Sequence, residues 1–130
     1  MINLELLQDF LNSLDVGMPV YINLFPEELQ YTEPEDIKEA IAFSLKTVTS
    51  NQVMEKTNLR CLIRSGDPAI ALATGQDIIQ QLDHRTDVNI GNTQIILFNP
   101  TDMTPEVMGL DANGNSIYKV DIVILASPTE

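Results

Sequence analysis

The chain opens with Leu4, Leu7, Leu11 and Leu14 spaced three or four residues apart, with Phe10 beside them, so one apolar stripe repeats at the pitch of an α-helix. The spacing predicts a helix over Leu4 to Leu14, with Asn3 as its N-cap and Gly17 as the residue that closes it. The period then changes to two. Val20, Ile22 and Leu24 alternate with Tyr21 and Asn23 until Phe25-Pro26, which predicts a half-buried strand. Ile41, Phe43 and Leu45 alternate again with Ala42, Ser44 and Lys46, and Thr47-Val48-Thr49 favours extended backbone, predicting a strand over Ala40 to Val48. A polar stretch, Ser50 to Asn58, leads to Leu59, Cys61 and Ile63 alternating with Arg60 and Arg64. Together these runs predict a long hairpin from Ala40 to Ile63 with Val53 and Met54 near its tip.

Asp67-Pro68 joins an N-cap to a proline at the first helical position, and Ala71, Ile78 and Leu82 carry the stripe of a second helix as far as Asp83. Gly75 inside it costs about 1 kcal/mol relative to alanine, which is intelligible where the helix lies close against a sheet. Gln94 to Asn99 and Ile117 to Leu125 predict the last two strands, with Asn113-Gly114 as the hairpin turn between them. The order helix, strand, hairpin, helix, hairpin contains no repeated βαβ unit. It predicts an α+β fold, a largely antiparallel β-sheet with two α-helices packed on one face. The expected organisation is a single domain over residues 1–126, with 127–130 a frayed tail and Glu27 to Glu39 an exposed connection of six acids and one lysine.

Composition narrows the function classes. A chain of 130 residues holds one core, and a formal charge of −12 repels phosphate backbones, which argues against tight nucleic-acid binding. No run approaches the roughly 20 apolar residues of a membrane span, and Met1 to Gln8 lacks a basic stretch leading into an apolar one, so synthesis and folding in the cytoplasm are expected. Cys61 is the sole cysteine, which excludes an internal disulfide, and the absence of tryptophan leaves few aromatic walls for a ligand pocket.

Candidate chemistry is thin. His84 is the only histidine and ends the second helix, where a cation suits the helix dipole, and Cys61 falls on the buried parity of its strand. Asp111-Ala112-Asn113-Gly114-Asn115 starts like a calcium loop, but Ser116 and Ile122 stand where that loop needs glycine and glutamate. Ser65-Gly66-Asp67 is a poor phosphate cradle, because Asp67 puts a negative charge where the anion would sit, and reads as a helix cap. No catalytic, cofactor-binding or metal-binding residue is assigned. The expectation is a structural subunit and not an enzyme, with a small ligand-binding or hydrolytic domain as the alternative class.

The arrangement of segments resembles the tail terminator proteins of tailed bacteriophages, also known as tail completion or minor capsid proteins. The resemblance runs through the leucine-rich first helix, Pro19-Val20-Tyr21-Ile22, and Leu59-Arg60-Cys61-Leu62-Ile63-Arg64 with Asp67-Pro68-Ala69 directly after it. It continues through Ile78-Ile79-Gln80-Gln81-Leu82 and closes with Gly109-Leu110-Asp111-Ala112-Asn113-Gly114 and Ile117-Tyr118-Lys119-Val120. The acidic stretch Glu27 to Glu39 departs from it. The resemblance implies a virion protein at the tail-neck junction, assembled in the host cytoplasm, that forms a hexameric ring on the tail tube, stops its polymerisation and offers a head-docking surface. Implied partners are further copies of the chain, the tail tube protein, a head-side neck protein and the tail sheath, with DNA passing through unbound and no membrane. Another neck component, such as a head completion or head-tail joining protein, is the neighbouring alternative. Six copies carry 6 × (−12) = −72 formal charges, which suits a bore that DNA must traverse. Candidate interaction residues are Val53 and Met54 at the hairpin tip and Glu27, Glu28, Glu33, Glu35 and Asp36 at the bore or rim.

Overall fold

Asn3 caps the first helix, α1 (Leu4–Ser13), by accepting the Leu6 N–H on its Oδ1 at 3.0 Å, and the helix buries Leu7 and Leu11. The computed structural model describes residues 2–23, 39–50, 54–86, 88–110 and 114–127. The helix ends earlier than the glycine predicts. Leu14 is its C-cap, and Asp15 at φ 56 takes the first left-handed step, which a short carboxamide or carboxylate side chain tolerates. Gly17, at φ 88, serves the following turn into β1 (Val20–Ile22). Leu24 and the acidic stretch up to residue 38 lie outside the described residues.

Strands β2 (Ala40–Ser50) and β3 (Glu55–Ser65) form the long hairpin, with a bulge at Lys46. Both strands outrun the sequence expectation at the tip. Glu55 and Thr57 are buried within a stretch that hydropathy marks as a polar loop, because β3 is paired on both sides, by β2 and by β7 (Ser116–Ala126). Asp67 Oδ1 accepts the Ala69 N–H at 2.9 Å and starts α2 (Pro68–Leu82). Strands β4 (Val88–Ile90) and β5 (Thr93–Pro100) make a hairpin over Gly91, and β6 (Glu106–Leu110) precedes β7.

The described strands form one seven-stranded sheet in the order β1-β2-β3-β7-β5-β4, with β6 off this path and paired to β7. All described pairs are antiparallel except β1 with β2. A parallel neighbour needs a long crossover, and the acidic connection supplies the length. Two strands absent from the sequence expectation, β4 and β6, correct the last hairpin: β6, not β5, pairs with the first half of β7, while β5 pairs with the other half, and Asp111 to Asn113 of the expected turn lie outside the described residues. Leu59, Cys61 and Ile63 register with Leu45, Phe43 and Ile41 on one side and with Ile122, Val120 and Tyr118 on the other, and this face carries the core. Both helices pack there, since Leu11, Leu14 and Ile78 close on Ile41 and Cys61. Phe10 of α1 stacks on Phe98 of β5 at 5.5 Å between ring centroids. At the far end, Ala126 is fully buried and the Ser127 N–H donates to the Gln94 carbonyl at 2.9 Å.

Candidate assembly surfaces

Two sheet edges are treated in opposite ways. In β1, Pro19 O accepts from Ile41 N at 2.9 Å and Asn23 N donates to Phe43 O, so Val20 between them turns its polar groups away from β2. Side chains of α1 meet them: Val20 N donates to Asn12 Oδ1 at 3.0 Å, and Gln8 Nε2 donates to Val20 O at 2.7 Å. The edge is closed with both groups paired.

Strand β6 is the converse. Every residue from Glu106 to Leu110 is exposed, including Val107 at 62%, Met108 at 51% and Leu110 at 72%, and Met103 in the preceding loop is 63% exposed. Among the described residues no side chain closes its outer edge. A bulge at Met108, next to Gly109 at φ 118, interrupts its pairing with β7. Its position is fixed from both ends of the preceding loop. Thr101 donates its N–H (3.0 Å) and Oγ1–H (3.1 Å) to the Asp121 carbonyl, and Pro105 packs so tightly on Gly75 of α2 that a Cβ there would lie 2.5 Å from Pro105 Cγ. The close approach expected at Gly75 is therefore real, and it involves this loop as well as Ile63 of the sheet.

A charge network ties β6 to the sheet face opposite the helices. Arg60 grips Asp121 in a two-point contact, Nε to Oδ1 at 2.8 Å and a terminal nitrogen to Oδ2 at 3.1 Å, while Lys119 reaches Glu106 of β6 at 2.9 Å and Asp121 at 3.4 Å. Hydrogen bonding from Arg60, reinforced by the positive charges of Arg60 and Lys119, holds the Asp121 carboxyl below the usual carboxylate range. An open groove of about 280 Å³ beside it is lined by Lys46, Asn58, Arg60, Thr101, Asp121 and Ile122.

Of the residues singled out in the sequence, Met54 is half-buried directly before β3, while Val53, Glu27, Glu28, Glu33, Glu35 and Asp36 lie outside the described residues. His84, at φ 56 just past α2, places Nδ1 2.6 Å from Asp83 Oδ1, and its backbone N–H donates to Phe98 O at 3.0 Å. Cys61 is buried, and burial first, with the charge of Asp121 second, pushes its thiol up to about 12. The Ser65 hydroxyl donates to Glu39 at 2.6 Å and accepts from Asp67 N at 3.1 Å, so this turn is a helix cap. Among the described residues no group of three or more histidine, cysteine or acidic side chains is placed to hold a metal ion, and no helix is long and apolar enough to cross a membrane.

The family described as bacteriophage tail terminator protein matches residues 7–127, nearly the whole chain. The chain belongs to that family and is a structural protein of the phage tail. No curated protein matches the chain.

Proposed function

We propose that the chain forms a ring on the head-proximal end of the tail tube, ends tube growth there and presents the surface to which the head docks. The observation that carries this is the family match, which spans all the described strands and α2 as well as most of α1. In this reading the acids Glu27, Glu28, Glu33, Glu35 and Asp36 lie at the bore or rim, where they repel passing DNA, and Val53 and Met54 touch a neighbouring subunit or the tube. Repulsion between copies of charge −12 makes the free ring weak at low salt, so the tube acts as template, and added salt screens the repulsion over about 10 Å at 0.1 M. The test is electron microscopy of tails made with and without the chain. Tubes of overrun length without it, and a six-fold ring on tubes of uniform length with it, support the reading. Tubes of normal length that merely fail to join heads would reassign the chain to another step of the neck.

A further inference from the structure

The outer edge of β6 combines three properties found together at no other strand edge among the described residues. No described side chain closes it, all its residues are exposed, and its run from Val107 to Leu110 is apolar and uncharged. Contiguous apolar exposure of this kind marks an interaction surface. We propose that β6 is the seam through which one copy of the chain binds the next, with Val107, Met108 and Leu110 as its anchors. This rests on the ring reading above and names the surface that the ring uses.

Charge selects the occupant. Each copy carries −12, so contact between two copies is least opposed where the contact surface adds no net negative charge. The β6 edge meets that condition, because its one ionised residue, Glu106, is neutralised by Lys119 at 2.9 Å and the rest of the strand has none. The bulge at Met108 breaks the row of backbone groups, so side chains carry the contact and an open-ended stack of strands is discouraged. Pro105 against Gly75, and Thr101 on Asp121, hold the ridge in place before the partner arrives, which lowers the ordering cost of association.

The experiment is site-specific cross-linking. Cys61 is buried with its thiol pushed up to about 12, so a Leu110→Cys chain carries one reactive thiol, to which a benzophenone maleimide is attached. The labelled chain is bound to tail tubes and irradiated. Adducts in multiples of the 14.5 kDa chain are expected. An adduct with the tube protein instead, or visible rings without chain-to-chain adducts, overturns the seam and leaves the ring reading standing. Chain-to-chain adducts on tails that carry no ring overturn the ring reading and leave the seam, and the absence of both overturns both. As a second readout, the Val107→Ser, Met108→Ser, Leu110→Ser triple variant should self-associate at least tenfold more weakly in sedimentation with an unchanged melting temperature. Unchanged association overturns the proposal.

Discussion

The edges of β1 and β6 start from the same chemical problem, a row of backbone donors and acceptors with no neighbouring strand, and resolve it oppositely. At β1 the solution is internal: Asn12 and Gln8 of α1 pair with Val20, which is 3% exposed. At β6 nothing described intervenes, and the side chains that flank the edge are apolar and open to water. Closed edges protect a sheet protein against unintended pairing. An edge left open beside one so carefully closed is therefore better understood as a contact surface than as a defect of folding.

The contrast can be broken from either side. The largest effect on stability is expected at the closed edge. Gln8→Ala with Asn12→Ala strands a buried N–H and a buried carbonyl, at about 1–3 kcal/mol each, measurable by urea unfolding. The same variant should gain a tendency to aggregate by light scattering; a loss under about 0.5 kcal/mol would mean that water satisfies Val20 equally well. Next comes Gly75→Ala. Its Cβ would lie 2.5 Å from Pro105 Cγ and 3.1 Å from Ile63 Cδ1, so overpacking costs about 1–3 kcal/mol, and the displaced loop should loosen β6. Differential scanning calorimetry reads the first consequence and amide exchange in β6 the second.

The smallest effect concerns the charge network that links β6 to the sheet. Asp121 titrates below the ordinary carboxylate range in the folded chain, so its contribution is present above that range and is lost as pH falls through the folded value. The pair is partly exposed, and Asp121→Asn should cost about 1 kcal/mol or less at pH 7. That difference should start to shrink as pH falls below about 4 and vanish only once pH lies below the depressed folded value. A gap between wild type and variant that persists unchanged at pH 2 would show that the asparagine disturbs packing instead of charge.

The elements that bury an apolar stripe are legible in the sequence. Leu7 and Leu11, the alternation through Ile41 and Phe43 with Leu59 and Ile63, and the Asp67-Pro68 start of α2 all stand where the pattern puts them. What escapes has specific causes. Glu55 to Asn58 reads as polar loop but is strand, since pairing on both sides overrides hydropathy there. Strand β4 is only three residues long, although Val88-Asn89-Ile90 before Gly91 carries the alternation. Strand β6 buries nothing, and its bulge breaks the period of two, so neither burial nor parity announces it. One available signal was the turn itself: Asn113-Gly114 calls for a partner strand directly before it, and Val107 to Leu110 is the nearest apolar run. The candidate surface is hard to read for the same reason that it is available for binding.

The most direct test of the two-edge account is amide hydrogen exchange, residue by residue, on the free chain and on the chain bound to tail tubes. In the free chain the Val20 amide, paired with Asn12, should exchange slowly, while β6 amides that are not bonded to β7 exchange fast. On tubes, β6 should become protected and Val20 should not change. Equal protection of the two edges in the free chain, or a β6 edge that stays fast after assembly, would contradict the account.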